Sequence, residues 1–316
     1  FTAIVEEVKL AINEGINPTR IKQGSSGSYF CYNRKKEIVG IFKPKNEEPY
    51  GKNNPKWTKW IQRNLFPCFF GRGCLVPNLG YISEAAASYI DRRLHLNIVP
   101  RTEIVSLSSP SFYYNSKELQ DYYDGKSSLP KKKGSFQLFM TGYKDANIFF
   151  KEGYDQIIKN NSPMSNESSR SNLHSLLVLD YLIRNTDRGL DNWLIKYEEI
   201  PESNTENQSL EVLNLFAAID NGLAFPYKHP DEWRSYPYGW AFLPISQIPF
   251  SAETRSLLPL LTSNSWWIET FKGLEQLFRI DPDFDEKMWK NQKAVMRGQG
   301  YNLIEVLNRS VLNTVD

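Results

Sequence analysis

The chain has 316 residues, 41% of them hydrophobic and 23% charged, enough for one large domain or two lobes around a buried core. It has no run of 18 apolar residues, which excludes a membrane-spanning helix, and no signal-peptide pattern opens it. Cys31, Cys68 and Cys74 are odd in number and lack zinc spacing, which excludes a disulfide framework and points to a reducing compartment. The net charge of +2 says little about partners, but Lys43, Lys45, Lys52, Lys56, Lys59 and Arg63 crowd one stretch opposed only by Glu47 and Glu48. Eight Trp and 17 Tyr supply rings for a membrane interface as well as for a core.

In chain order, Ile4, Val5, Val8, Ala11, Ile12 and Ile16 recur at helical spacing over residues 3–16. Gly24-Ser25-Ser26-Gly27-Ser28 is a turn of small residues. Tyr29 to Tyr32 and Ile38 to Phe42 read as two strands around the polar turn 33–36. Residues 44–80, punctuated by five prolines, form an irregular insert with a short helix over Lys56 to Leu65. Ser83 to Leu94 is a predicted helix with Ser83 as N-cap, and Val99 to Leu107 a predicted strand. Residues 108–133 read as a polar, basic loop and Ser135 to Met140 as a strand. Residues 169–184 form a helix with Leu173, Leu176, Leu177, Asp180 and Tyr181 on one face. Trp193 to Tyr197 and Phe216 to Ile219 are strands flanking a polar loop, 198–211, and the chain beyond 245 is mostly helical. A β-rich part followed by a helical part gives an α+β class with two lobes, 1–140 and 141–316.

The chemistry is concentrated in Asn185-Thr186-Asp187-Arg188-Gly189-Leu190-Asp191-Asn192 and Asp220-Asn221-Gly222. Phosphoryl transfer needs a carboxylate that orients or deprotonates the accepting hydroxyl, and oxygen ligands for Mg2+ on the phosphates. Asp187 and Asn192 have the spacing of a kinase catalytic loop, and Asp220-Asn221-Gly222 follows two strands, where a kinase carries Asp-Phe-Gly. The order provides one base, Asp187, and two metal ligands, Asn192 and Asp220. Taken singly, each motif is also an ordinary turn. Backbone N–H groups of Gly24, Ser25, Ser26, Gly27 and Ser28 could cradle phosphates, although this is no Walker A loop. Lys43 ends the strand after that loop, at the position of a phosphate-binding lysine. His95, His174 and His229 form no spaced pair, and neither H-E-x-x-H nor G-x-S-x-G occurs, so metalloprotease and hydrolase readings have no support.

Residues 56–70 interleave rings with cations. On a helix Trp57, Trp60, Ile61 and Asn64 share one face, and Lys56, Lys59 and Arg63 another, as in a segment lying in a membrane interface. Three basic residues supply about 3 kcal/mol of attraction to an anionic surface, at roughly 1 each. The alternative is a helix packing its Trp residues into the core. No wider basic face supports nucleic-acid binding.

Several long motifs resemble type II phosphatidylinositol 4-kinases. They are Gly24 to Phe30, Phe42 to Gly51, Asn54 to Trp60, Gly134 to Phe139, Arg184 to Trp193 and Ala217 to Pro226. The resemblance implies a bilobal protein-kinase-like fold and transfer of the ATP γ-phosphate to the 4-hydroxyl of phosphatidylinositol. It implies ATP contacts at residues 24–28, Phe30, Lys43, Ile219 and Asp220, and an adenine-facing hinge at Gln137, Leu138, Phe139 and Met140. It implies a substrate site at Glu48, Pro49 and Tyr50. Membrane contact is implied at residues 56–70 (with Phe66, Phe69 and Phe70), at Lys144 to Lys151 and at Trp233 to Phe242. The expected setting is a peripheral protein on the cytosolic face of Golgi, endosomal, vacuolar or plasma membranes. Animal members carry a C-C-P-C-C acylation motif; here Leu65-Phe66-Pro67-Cys68-Phe69 leaves Cys68 as the candidate acyl site and puts direct insertion of the flanking rings in its place. The readings set against a lipid kinase are a protein kinase, which lacks its H-R-D and A-P-E motifs here, and a catalytically silent membrane scaffold. Glu84 is the candidate partner of Lys43.

Overall fold

The computed structural model describes residues 1–22, 27–48, 72–151, 167–201, 210–230, 236, 238–243, 246 and 248–312. The chain divides into two units, Phe1–Ser88 with Arg101–Phe139, and Tyr89–Pro100 with Met140–Asp316.

In the first unit, α1 (Thr2–Asn13) buries Val5, Val8 and Ala11, the stripe that its periodicity predicts. Strands β1 (Thr19–Arg20), β2 (Tyr29–Tyr32), β3 (Ile38–Pro44), β4 (Thr102–Leu107) and β5 (Lys132–Leu138) form an antiparallel sheet in the order β1-β2-β3-β5-β4. Val5 and Val8 join Tyr29, Cys31, Phe42, Leu107, Phe112 and Phe136 in one core. Lys43 lies opposite Ser135 in the β3–β5 register. Helix α2 (Gly80–Leu94) begins three residues before the expected Ser83 cap. Its first turn is capped from a distance: the Glu48 carboxylate accepts the N–H groups of Gly80 (3.1 Å) and Tyr81 (2.5 Å). A carboxylate at a helix N-terminus satisfies orphan donors and opposes the macrodipole, so the cap on another segment overrides the local serine.

The expected loop at 108–133 contains a helix, α3 (Ser116–Tyr123). Asn115 and Glu118 close a reciprocal capping box, a local start signal that the segment's polarity obscured. Lys132 and Lys133 of the basic run at its end are strand, not loop. Strand alternation turns Lys132 inward while Lys131 and Lys133 stay exposed.

In the second unit, β6 (Lys144–Asp145), β7 (Trp193–Pro201) and β8 (Leu210–Ala218) form an antiparallel sheet. Both hairpin strands run further than expected, because pairing continues from Trp193↔Ala218 to Pro201↔Leu210 through residues assigned to the loop. Helix α4 (Glu167–Leu182) buries Leu173, Leu176, Val178, Leu179 and Leu182. Helices α5 (Asn264–Phe278) and α6 (Glu286–Leu312) bring Trp266, Trp267, Phe278 and Trp289 inside, with Phe278 stacked on Trp289 at 4.9 Å. Among the described residues no helix is long and apolar enough to cross a membrane.

Candidate active site

In the first unit, the aliphatic stem of Lys43 leaves β3 and its ammonium pairs with Glu84 of α2, the partner expected from the sequence. Glu84 is buried, so an otherwise costly carboxylate is compensated by a charge it holds in place. Gly27 donates its N–H to the Glu47 carbonyl (2.9 Å), and Ser28 accepts at its carbonyl from Ile21 (2.8 Å), fixing the end of the small-residue loop. Gly24, Ser25 and Ser26 lie outside the described residues.

Beneath Gly27 sits a buried polar cluster that the sequence did not disclose. Glu47 accepts from Tyr29 Oη (2.6 Å), Lys132 Nζ (2.6 Å) and the Tyr113 N–H (3.1 Å). Neither charge of the Glu47–Lys132 pair reaches solvent to any extent, and Lys132 also lies 4.6 Å from the Tyr114 ring centroid. Burial and the Glu47 carboxylate push the Tyr29 phenol well above its usual range.

Of the expected hinge residues, Gln137 is buried and donates to Thr102 Oγ1 (3.1 Å). Leu138 donates its N–H to Arg101 and Phe139 to Val39. Phe139 packs edge-on against Phe30 at 6.1 Å, so two of the residues expected at ATP share one surface of the first unit. The division between the units falls after Phe139, so Met140 belongs to the second. Glu48 directs both carboxylate oxygens at the α2 N-terminus; burial pushes its carboxyl up to about 7 against those two N–H groups. Pro49 and Tyr50 lie outside the described residues.

In the second unit, α4 ends with Arg184 in the left-handed region (φ 46°), and Asn185 donates its N–H back to the Asp180 carbonyl. The following loop is held at several points. Asn185 Oδ1 accepts the Asp187 N–H (2.9 Å), Thr186 donates both N–H and Oγ1 to the Leu223 carbonyl, and Asn192 Nδ2 donates to the Asp187 carbonyl (2.7 Å). The hairpin register then sets Asn192 against Ile219, whose N–H it accepts at 3.2 Å, and so beside Asp220. Asp187, Asn192 and Asp220 are thereby gathered at the base of one hairpin. Asp187 is half-buried and Asp220 exposed. With its amide nitrogen engaged, Asn192 presents an oxygen; with the Asp220 carboxylate this is an oxygen-only donor pair, which fits a hard cation such as Mg2+.

A family model, phosphatidylinositol 3- and 4-kinase, matches residues 24–299. The chain belongs to the phosphatidylinositol 3- and 4-kinase family, among the type 2 phosphatidylinositol 4-kinases. Phosphatidylinositol 4-kinase type 2-alpha of Danio rerio is 46% identical over 330 residues, covering 97% of this chain and 73% of its own. The type 2-beta enzyme of Mus musculus is 45% identical over 97% of this chain and 70% of its own. Phosphatidylinositol 4-kinase LSB6 of Saccharomyces cerevisiae is 43% identical over 91% of this chain and 56% of its own. Among solved structures, hydra Fam20 with sugar matches at TM-score 0.52 and 14% identity, over 94% of this chain and 85% of that one, a likeness of fold. The resemblance read from the motifs and the kinase-like α+β fold are both borne out.

The family assignment does not by itself place the membrane-facing residues. Lys56, Trp57, Lys59, Trp60, Arg63, Phe66, Cys68, Phe69, Phe70 and Trp233 lie outside the described residues. Lys144, Ile148, Lys151 and Phe242 are exposed, Phe242 at 78%. Sequence reasoning passed over Arg188, Asp180, Glu47 and Lys132. Asp180 carried a usable signal: a carboxylate in an apolar helical stripe needs a buried cation, and Arg184 and Arg188 both follow closely.

Proposed function

We propose that this family member transfers the γ-phosphate of ATP to the 4-hydroxyl of phosphatidylinositol, giving phosphatidylinositol 4-phosphate and ADP. The observation that carries the reading is the gathering of Asp187, Asn192 and Asp220 at one hairpin base in a chain of this family. Asp187 accepts or orients the inositol hydroxyl proton; loose phosphoryl transfer asks little base strength of it. Lys43, held by Glu84, binds phosphate oxygens, and the N–H groups of residues 24–28 support them. Asn192 and Asp220 hold Mg2+, which when bound neutralises charge on the β- and γ-phosphates. Phe30, Ile219 and residues 137–140 serve the adenine. Glu48 supports the 49–50 segment through the α2 cap, with Pro49 and Tyr50 next to the headgroup.

The lipid substrate requires access to a bilayer, and in this reading the ring-and-cation stretch 56–70, Lys144 to Lys151 and Trp233 to Phe242 provide it. The exposure of Phe242, Lys144 and Lys151 supports such a surface. The protein is then peripheral, on cytosolic faces of Golgi, endosomal, vacuolar or plasma membranes.

The test is incubation with Mg2+-ATP and phosphatidylinositol vesicles, with the lipid product separated by the position of its phosphate. The expected product is the 4-phosphate, with no labelling of peptide substrates. Asp187→Ala and Asp220→Ala should each abolish transfer while vesicle binding survives. Near-normal turnover in either variant would overturn the site assignment.

A further inference from the structure

Arg188 is 1% exposed, and each of its three guanidinium nitrogens donates to at least one acceptor. Nε–H is shared between the two Asp180 carboxylate oxygens, each at 2.9 Å. Nη1 donates to the Asn192 carbonyl and to the Ile219 carbonyl, the latter at 2.6 Å. Nη2 donates to the Asn221 side-chain oxygen. One planar cation therefore joins α4, the start of β7 and the residues on both sides of Asp220. Asp220 itself has φ +53°, a left-handed conformation uncommon among non-glycine residues, although Asp adopts it more readily than most.

The far side of the pair is braced as well. Trp240 Nε1 donates to Asp180 Oδ2 (2.9 Å), and Gly239 donates its N–H to the Arg188 carbonyl (2.7 Å). A Cβ on Gly239 would lie 3.1 Å from that same carbonyl oxygen, a tight contact. Burial pushes the Asp180 carboxyl up, opposed first by Arg188 and then by Trp240. A carboxylate receiving donors on both oxygens orients the guanidinium, leaving its fork for the loop carbonyls.

We propose that Arg188 is a positioning residue, one that holds Asp220 in its left-handed conformation and sets its carboxylate at metal-binding separation from the Asn192 amide oxygen. The inference rests on the kinase reading above. It specifies more than a structural arginine would: the contacts converge on the residues flanking one metal ligand and on the backbone of the other. A lysine has the charge but no fork, so it cannot hold Asp180, two carbonyls and Asn221 together.

The experiment is calorimetric titration of Mn2+ into protein saturated with a non-hydrolysable ATP analogue. Wild type is compared with Arg188→Lys and Asn221→Ala, with melting temperatures measured in parallel. Asn221→Ala removes one arm and leaves the buried ion pair, so it carries the test if the lysine variant fails to fold. The expected result is metal affinity about tenfold weaker in Asn221→Ala and weaker still in Arg188→Lys. Binding of the metal-free analogue, which depends on Lys43, should stay within about twofold. Hydrogen exchange should quicken at amides 219–222. A folded Asn221→Ala with wild-type metal affinity overturns the positioning role and leaves the kinase reading intact. A wild type that binds no metal with nucleotide overturns both.

Discussion

Lys43 on β3 and Glu84 on α2 form an ion pair in which the carboxylate is 2% and the ammonium 17% exposed. The lysine is thus held by a buried acid while retaining some access for a ligand. Lys43→Ala should lower kcat/KM for ATP by about 10²-fold or more, the order expected for losing one preorganised charge on a phosphate. Glu84→Gln keeps the shape and a hydrogen bond to Lys43, so its loss should be smaller, about tenfold, and fall mainly on the KM for ATP. Steady-state kinetics on vesicles check both. A larger effect from Glu84→Gln than from Lys43→Ala would contradict the division of roles.

Gly27 lies directly over Glu47. A Cβ there would come within 2.7 Å of Glu47 Cβ, and Glu47 is pinned by Tyr29, Lys132 and Tyr113 and cannot give way. Gly27→Ala should therefore shift the small-residue loop rather than the cluster. The KM for ATP should rise about tenfold with the melting temperature nearly unchanged. Kinetics paired with thermal melts separate this outcome from general destabilisation.

The Glu47–Lys132 pair predicts strong non-additivity. Glu47→Leu alone strands a buried ammonium and should cost about 3–5 kcal/mol, as should Lys132→Met alone, which strands the carboxylate. The double variant removes both charges and should be far less destabilised than the sum. Urea denaturation of the four proteins completes the cycle. Simple additivity would show that the two charges are not coupled.

Buried groups bias stability with pH in opposite senses. Burial drives His174 down to about 4 from 6.5, Arg170 adding to the shift, and its Nδ1 accepts the Ser251 N–H. The unfolded chain therefore takes up a proton first as pH falls below 6.5, and about 3 kcal/mol is lost on the way to pH 4. Glu48 has its folded pKa raised from 4.5 to about 7, so its contribution is full below 4.5 and lost as pH rises to 7. Asp91, whose carboxyl burial raises from 3.8 to about 6, adds a second falling slope below pH 6, and His174 opposes both. His174→Phe removes the rise that opposes Glu48 and Asp91, so the variant should lose more stability than wild type from about pH 5 to pH 7. Denaturation midpoints across that range check it; a level variant would contradict the assignment.

The sequence by itself determined the α+β class, the strands around residues 33–36, the amphipathic α1 and the family, because period-2 and period-3.6 patterns and long motifs are local quantities. It also supplied Asp187, Asn192, Asp220 and Lys43, whose spacing within a loop or strand is covalent. Asn115 and Glu118 show that even a local signal is missed when the segment around it looks uniformly polar. The rest was decided by tertiary structure. Glu48 caps a helix that begins 32 positions later, Lys132 meets Glu47 across 85 positions, and Arg188 joins Asp180 to the far strand end at Ile219. None of these pairings has a period or a spacing. Each exists because a charge removed from water must find its partner within the fold, and only the packed sheets and helices bring that partner near.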